Sequence, residues 1–225
     1  MIPVFIGYDP REPIAYHVCV NSIIQNTSDI FCPIPLALTS LKRIYAETHP
    51  DGSNQFIYTR FLVPFLMNYS GHAIYIDGDM LVNGDISELW DMRDNFAVQV
   101  VKHDYKTKAQ KKYLGNVNAD YPRKNWSSVI LWNCGHKSHR GLTPQSVMKM
   151  TGAELHRFTW LLDEEIGDLP PEWNWLETEY DPNPTANLIH YTLGTPCFED
   201  YKNTDTSHLW HSALRDSLTP ISLPR

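Results

Sequence analysis

Short apolar runs recur along the chain, and polar loops or segments of helical spacing separate them. The length of these runs and their content of β-branched and aromatic residues are typical of buried strands. We interpret as strands residues 4–6, 33–38, 73–76, 96–101, 127–133 and 186–190. Because helical segments lie between several of them, the pattern predicts an α/β fold with a mostly parallel mixed sheet flanked by helices.

Four segments have features of helices. Residues 12–25 have helical apolar spacing, and so do residues 56–67, although a proline lies inside the second segment. Residues 86–91 predict a short turn of helix, and Thr143, followed by proline, predicts a capped helix start. The predicted inner face of the first helix consists of Ala15, Val18, Cys19, Ser22 and Ile23. The sequence contains no repeat, low-complexity tract or linker, so we predict a single domain over residues 1–225.

The composition is that of a globular chain with a full core. The 225 residues are 42% hydrophobic, and the formal net charge is −7. A nucleic-acid partner is not expected, because such a partner requires a basic face. The basic cluster of the sequence consists of Lys102, Lys106, Lys108, Lys111 and Lys112. We interpret this cluster as a solvated helix face rather than as a binding patch.

The cysteines and the N-terminus predict a cytoplasmic protein. The four cysteines share no C-x-x-C spacing, and a chain of this length folds without disulfides, so we expect reduced thiols. The N-terminus enters a strand without the features of a signal peptide. No transmembrane segment is expected, because no segment reaches about 18 apolar residues.

Asp77 and Asp79 follow a buried apolar run and are separated by Gly78. An ionised carboxylate left unpaired in a protein interior costs several kcal/mol, so these acids need a cation or hydrogen-bond donors. Period-2 geometry directs both side chains to the same side, and Gly78 is expected to leave room for a ligand near the backbone. An isolated Asp-Gly-Asp is more often a turn. Here apolar residues resume at residue 80, which favours a site for Mg²⁺ or Mn²⁺.

Two further segments are candidates for a ligand site. Gly7, Tyr8 and Asp9 follow the first strand and precede the first helix, so they are predicted at the carboxyl edge of the sheet, where α/β folds bind ligands. They are candidates for holding a nucleotide base, and a plain connecting loop is an equally good interpretation. His190 ends the last predicted strand. A lone histidine is more often a core residue than a ligand, unless it ends its strand beside Asp77 and Asp79.

Together these segments resemble glycosyltransferase family 8. The resemblance rests on residues 5–9, 58–60, 75–82 with Leu89-Trp90, 169–174, and 189–191 with Gly194 and Pro196. It covers most of the chain. Each segment alone is a weak match, but together, in this order and at this spacing, they form a specific one. The resemblance implies a GT-A fold with a Rossmann-like nucleotide-binding half. It also implies a retaining transfer of sugar from a UDP-sugar or a similar donor to a saccharide, lipid-saccharide or protein acceptor.

The family resemblance also implies roles for individual residues. Mn²⁺ or Mg²⁺ would be bound by Asp77, Asp79 and His190, and the ion would bind the diphosphate of the donor. The remaining implied contacts to the donor are Gly7, Tyr8 and Asp9 near the base and ribose, Arg60 near the diphosphate or sugar, and Gly194 near phosphate.

Three segments depart from the family pattern. Residues 126–128 are Trp-Ser-Ser, where the family commonly has Asn-Ala-Gly or Asn-Ser-Gly. Residues 156–158 are His-Arg-Phe, where the family has Asp-Gln-Asp near the reacting carbon. Candidate catalytic residues are therefore Arg157, for charge stabilisation, and Asp163, Glu164 or Glu165, for a carboxylate. Thr195 stands where the family has a lysine before proline, so one charged contact to the diphosphate is missing. We expect Arg60, Arg157 or Lys202 to supply that contact instead.

Two other functions are compatible with an Asp-x-Asp strand end. In a phosphohydrolase of the haloacid-dehalogenase kind, the first acid would be a nucleophile and the second an acid or base. That group usually carries its acids near the chain start, whereas here they lie past residue 70. A catalytically inactive scaffold that holds a nucleotide diphosphate is the other alternative, because of the three departures.

Overall fold

The computed structural model describes residues 1–50, 52 and 54–219. Within this part of the chain, nine strands form two sheets. Their bounds are β1 (Ile2–Gly7), β2 (Phe31–Leu36), β3 (His72–Ile76), β4 (Met80–Val82), β5 (Val98–Val100), β6 (Val129–Asn133), β7 (Ile166–Asp168), β8 (Trp175–Leu176) and β9 (Leu188–His190).

The helices are short, except for one near each end of the chain. Their bounds are α1 (Pro13–Asn26), α2 (Leu38–Leu41), α3 (Val63–Leu66), α4 (Ile86–Asp91), α5 (Pro144–Lys149), α6 (Gly152–His156) and α7 (Ser207–Leu218). Single turns of 3₁₀ helix lie at Thr59–Leu62, Tyr113–Gly115, Trp126–Ser128, Lys137–His139, Asp163–Glu165, Pro171–Asn174 and Glu199–Tyr201. No helix in the described ranges is both long enough and apolar enough to cross a membrane.

The larger sheet has six strands in the order β2-β1-β3-β6-β5-β7. β1 is parallel to β2 and β3, and β5 is parallel to β7. β6 is antiparallel to both of its neighbours, β3 and β5, so it alone among these six strands runs against the others. The predicted α/β fold with a mostly parallel mixed sheet is confirmed.

Both faces of the larger sheet are covered, which explains the continuous apolar runs of its strands. Alternate residues of β3 and β6 belong to two separate core clusters: Tyr75 and Trp132 pack on one face, and Ile74 and Leu131 pack on the other. The smaller sheet, in the order β4-β9-β8, extends from the connection after β3. The chain therefore changes sheets between residues 76 and 80, where the two candidate acids lie.

Three of the predicted helices are confirmed, and one of them, α4, has the predicted bounds. α1 buries Ala15, Val18, Cys19, Ser22 and Ile23, the predicted inner face. α5 has a proline in its first turn and a capping box in which Thr143 and Ser146 each accept from the other's backbone N–H.

Two predictions of helix are wrong. Residues 56–67 are broken into a 3₁₀ turn and the four-residue α3, with Pro64 in the first turn of α3, where its missing N–H is tolerated. The lysine-rich residues 102–112 contain no helix, and Lys112 turns inward. The single domain over residues 1–225 stays a prediction, and residues 220–225 lie outside the described part.

Candidate metal site and the cavity around it

The candidate metal ligands come from the junction between the two sheets. β3 ends just before Asp77 and β4 begins at Met80, so both acids occupy the connection. β4 pairs with β9 in the register that sets Met80 opposite His190. The backbone N–H of Tyr191 also donates to the carbonyl of Asp79 at 3.1 Å. The structure therefore brings Asp77, Asp79 and His190 together, with one ligand atom of each within 4.8 Å of the others, and buries all three.

Gly78 allows two backbone segments to approach each other closely. A Cβ atom added at Gly78 would lie 2.1 Å from the carbonyl oxygen of Gly7, at the end of β1. Gly7 is itself confined, because a Cβ there would lie 2.5 Å from ring atoms of Phe56. The space that the sequence led us to expect for a ligand beside Gly78 is thus taken by the carbonyl of Gly7.

A short hydrogen-bond chain determines which imidazole nitrogen of His190 faces the acids. The side-chain N–H of Asn174 donates to the carbonyl of Asn125 at 3.0 Å, which turns the amide oxygen of Asn174 toward His190. That oxygen only accepts, so Nδ1 of His190, 3.0 Å away, carries a hydrogen and donates. In the neutral ring, Nε2 then directs its lone pair at Oδ1 of Asp79, 3.5 Å away, and at Oδ2 of Asp77, 4.0 Å away.

Asp77 is held through one of its two carboxylate oxygens. Oδ1 accepts from the hydroxyl of Tyr75 at 2.6 Å and lies 2.9 Å from a guanidinium nitrogen of Arg60. Burial raises the pKa of Asp77, and the positive charge of Arg60 opposes that shift. Oδ2 remains on the side of His190.

Asp79 has a buried oxygen, Oδ1, without a hydrogen-bond partner among the described residues. Its contact to Nε2 of His190, at 3.5 Å, is long for a hydrogen bond. Burial acts to raise the pKa of Asp79, but the positive charges of a protonated His190 and of Lys112 outweigh burial, so the pKa lies below the ordinary value. An ionised, buried carboxylate with an open oxygen is unfavourable until a cation binds to it.

The donor atoms suit a hard divalent cation. Two carboxylate oxygens and one imidazole nitrogen leave open coordination positions on Mg²⁺ or Mn²⁺, which accept further oxygen ligands. Asn174 supplies the outer hydrogen bond that metal-binding histidines usually make through their second nitrogen. The residues present therefore fit the ion that the family resemblance implies.

The three side chains open into a polar cavity of about 60 Å³. Its other lining residues are Asn54, Ile57, Arg60, Lys112, Tyr113, Tyr121, Asn125, Ser127, Ser128, His156 and Thr192. A second, less polar cavity of about 230 Å³ shares Ile57, Tyr121 and His156 with the first, and Arg157 lines it. The two cavities are therefore neighbours, separated by shared side chains.

Two of the departures from the family pattern meet in this cavity. The hydroxyl of Ser127 lies 2.7 Å from Nδ1 of His156. Burial lowers the pKa of His156 well below its ordinary value, and the charge of Arg60 lowers it further, so the imidazole is neutral. Its Nε2 is buried and has no hydrogen-bond partner among the described residues. The sequence did not predict this pair, because 29 positions separate its members.

Lys112 and Asn174 are the other residues that sequence analysis missed. The sequence predicts Lys112 on a solvated helix face, but its ammonium lines the cavity and donates to the hydroxyl of Thr192 at 3.1 Å. Asn174 lies between two tryptophans, and a polar residue in that aromatic segment was the available signal. Lys202, an expected substitute for the missing lysine, instead pairs with Glu199 on an exposed turn.

The remaining predicted residues have varied surroundings. The carboxylate of Asp9 accepts from the side chain and backbone of Arg11 and from the backbone N–H of Gln55. The ring of Tyr8 contacts that of Tyr16 edge-on. Glu164 is exposed on the turn Asp163–Glu165, and none of the residues that line the two cavities belongs to that turn.

Gly194 has a backbone φ of 154°, and a Cβ there would lie 2.5 Å from the ring of Tyr201. The nearest atoms that such a Cβ would meet thus belong to aromatic side chains, whereas the resemblance implied a backbone open to phosphate.

Comparison with known protein sequences found a matching family and a relative. The model of the family described as "Glycosyl transferase family 8" matches residues 15–195. "Protein CDI" of Arabidopsis thaliana is 41% identical over 222 residues, which are 95% of this chain and 86% of that protein.

Solved structures share the fold at low sequence identity. The apo structure of the bifunctional glycosyltransferase WbbM has a TM-score of 0.68 at 17% identity, over 95% of this chain and 49% of its own. The glycosyltransferase GlyE of Streptococcus pneumoniae TIGR4 has a TM-score of 0.64 at 16% identity, over 98% and 62%. The chain thus spans less than two thirds of either protein. The galactosyltransferase LgtC, in complex with donor and acceptor sugar analogs, has a TM-score of 0.63 at 12% identity, over 98% of both chains. These similarities identify the GT-A fold.

Proposed function

This chain belongs to glycosyltransferase family 8 and is a glycosyltransferase, and we propose that it transfers the sugar of a nucleotide-diphosphate sugar with the help of a divalent cation. Asp77, Asp79 and His190 hold Mn²⁺ or Mg²⁺ in this proposal. The observation that carries it is the set of three buried ligand atoms within 4.8 Å, one of which, Oδ1 of Asp79, has no hydrogen-bond partner among the described residues.

The bound cation supplies Lewis-acid stabilisation of the nucleoside diphosphate as that group departs. The chain's own residues hold the ligand set in place. Arg60 and Tyr75 fix Oδ1 of Asp77, so that its other oxygen, on the side of His190, would be available to a cation. Asn174 keeps the hydrogen of His190 on Nδ1, which leaves Nε2 free to ligate. Arg60 also brings a positive charge to the cavity wall, where it favours the diphosphate.

The nucleotide base lies near the end of β1 in this proposal. Ile6 of β1 pairs with Ile76 of β3, so Gly7, Tyr8 and Asp9 leave the sheet at the same edge as Asp77. Bound nucleotides of open α/β folds lie at that edge. We propose a UDP-sugar as donor, Gly194 as a phosphate neighbour and retention of the anomeric configuration, all supported by the family resemblance.

The acceptor is a saccharide, a lipid-linked saccharide or a protein. Arg157 is the closer of the two proposed catalytic residues, because it lines the cavity next to the metal site, whereas Glu164 is exposed. A cytoplasmic location is supported by the four cysteines, all of which are free thiols.

Donor hydrolysis without an acceptor tests this function. The protein is incubated with Mn²⁺ and UDP-, GDP- or ADP-sugars, and free nucleoside diphosphate is measured. We expect slow, EDTA-sensitive release from at least one donor. Asp79→Asn should abolish this release, because it removes one negative ligand, and Asp168→Asn, which alters an exposed acid, should leave it unchanged. Equal release by the Asp79→Asn variant, phosphate release from simple monoesters instead, or no release from any donor would count against the proposal.

A further inference from the structure

The charged side chains that line the cavity balance one another before any ligand binds. Asp77 and Asp79 contribute two negative charges, and Arg60 and Lys112 contribute two positive charges. A divalent cation on the two carboxylates leaves a net charge of about +2, and the diphosphate of a sugar nucleotide carries about −2. The cavity is therefore complementary to the metal and the diphosphate together, and not to the metal alone.

The two cations are not equally available to an incoming anion. Arg60 uses one terminal nitrogen on Asp77, at 2.9 Å, and the other on the carbonyl of Ser127, at 2.7 Å. The ammonium of Lys112 has one hydrogen-bond partner among the described residues, the hydroxyl of Thr192 at 3.1 Å. An ammonium group has three N–H donors, so two donors of Lys112 remain for a ligand.

The backbone around Lys112 is held in place. Its N–H donates to the carbonyl of Asn116 at 2.8 Å, and the next N–H, of Tyr113, donates to the carbonyl of Leu193 at 2.7 Å. The ring of Tyr113 contacts that of Phe198, with centroids 5.0 Å apart. These contacts fix the segment against the loop that follows β9. The ammonium is thus presented from a fixed position on the wall of the cavity.

We propose that Lys112 binds the diphosphate of the donor and thereby supplies the ammonium that Thr195 lacks at its own position. This inference rests on the proposed function, since it assumes a nucleotide-diphosphate ligand and a cation on Asp77 and Asp79. Burial lowers the pKa of Lys112, and the charges of Asp79 and Asp77 oppose that shift and favour the ammonium form. The competing interpretation is that Lys112 only neutralises the buried acids.

The two interpretations predict different affinities for the diphosphate, since only a lysine that binds this group weakens its binding when removed. The ammonium of Lys112 repels a divalent cation bound to the neighbouring carboxylates. Under either interpretation, Lys112→Met should bind Mn²⁺ alone several-fold more tightly than the wild type, because this repulsion is gone. With Mn²⁺ at saturation, the same variant should bind the nucleoside diphosphate about 10- to 100-fold more weakly, because a charge-assisted hydrogen bond is lost.

Calorimetric titration measures both affinities. The probes are Mn²⁺ alone, and UDP, GDP and ADP in the presence of Mn²⁺. Lys111→Met is the matched control, because Lys111 is adjacent and exposed, and it should leave both affinities unchanged. Lys112→Arg, which keeps the charge, should bind the diphosphate within a few-fold of the wild type. Lys112→Gln is a second uncharged variant. Both affinities are measured on it if thermal melting shows that Lys112→Met is unfolded.

Each outcome has a distinct meaning. If the wild type binds none of the three diphosphates with Mn²⁺, the proposed function fails and the role of Lys112 fails with it. If the wild type binds one of them and both uncharged variants bind it equally well, only the role of Lys112 is overturned. Weaker binding of Mn²⁺ alone by the uncharged variants would also overturn it, since Lys112 would then support the metal site.

Discussion

Replacing Asn174 tests whether an uncharged residue determines the metal affinity of this site. The side chain is fully buried and links two groups, since it donates to the carbonyl of Asn125 and accepts from Nδ1 of His190. Asn174→Ala removes both hydrogen bonds. It also removes the acceptor that keeps the hydrogen of His190 on Nδ1, so Nε2 is no longer held as the ligand atom.

The size of both effects follows from these contacts. Loss of the outer hydrogen bond of a metal-binding histidine typically weakens metal binding about 10- to 100-fold. Each buried group left without a partner costs about 1–3 kcal/mol, so the variant should lose about 2–6 kcal/mol of unfolding free energy. That loss is a large fraction of the stability of an ordinary domain, about 5–15 kcal/mol. The metal affinity must therefore be measured under conditions where the variant is shown to be folded.

Titration with Mn²⁺, followed by the electron paramagnetic resonance of the free ion, measures the affinity, and urea unfolding in EDTA measures the stability. Gln99→Ala is the matched control. Gln99 is also a buried amide with two backbone partners, the N–H of Asp94 and the carbonyl of Met92, but it lies on β5 and does not line the cavity. We expect both variants to be destabilised and only Asn174→Ala to lose Mn²⁺ affinity.

Asn174→Asp keeps the hydrogen-bond acceptor of the side chain and removes its N–H donor. It keeps an oxygen for Nδ1 of His190, so Mn²⁺ binding should persist in this variant. If Asn174→Ala binds Mn²⁺ as tightly as the wild type, the hydrogen-bond chain does not set the ligand atom. If Gln99→Ala loses as much affinity, the effect reflects general destabilisation.

Two further predictions concern the residues around the site. Gly78→Ala should lower the free energy of unfolding in urea by about 3 kcal/mol or more, because its Cβ would lie 2.1 Å from the carbonyl oxygen of Gly7. Gly141→Ala is the control and should be nearly neutral, because the space around its Cβ is open. Similar losses in the two variants would contradict this prediction. Burial and the charge of Asp79 raise the pKa of Glu12 to about 8. The wild type should therefore lose stability relative to Glu12→Gln as pH rises from about 5 to 8 in EDTA. If the melting temperatures of the two proteins change in parallel over this pH range, the prediction is refuted.

The sequence predicts the ligands of the site better than their arrangement. Asp77 and Asp79 are recognisable because acids interrupt an apolar run, which has few explanations in a buried strand. Their convergence with His190 depends on the antiparallel pairing of β4 and β9, between residues about 110 positions apart. Local pattern carries no information on such pairing, and the resemblance to the family supplied it.

Local pattern failed where tertiary contacts outweighed it. The spacing of residues 56–67 is helical, but Arg60 in this segment is drawn to Asp77, and the backbone forms a 3₁₀ turn there. The lysine-rich segment has the composition of a solvated helix, yet Lys112 is turned toward the buried acids, an attraction between residues more than 30 positions apart. In both cases a cation of the segment lies close to an acid that follows β3.

In the proposed function, the balance of charges in the cavity makes the binding of metal and of diphosphate interdependent. A cation that binds first must approach two carboxylates already neutralised by Arg60 and Lys112, so its affinity is reduced by their repulsion. A diphosphate that binds first meets two carboxylates as well as two cations, so its attraction is weak for the same reason. When both are present, their charges cancel in a buried space where Coulomb interactions are stronger than in water. By thermodynamic linkage, each must then raise the affinity of the other by the same factor.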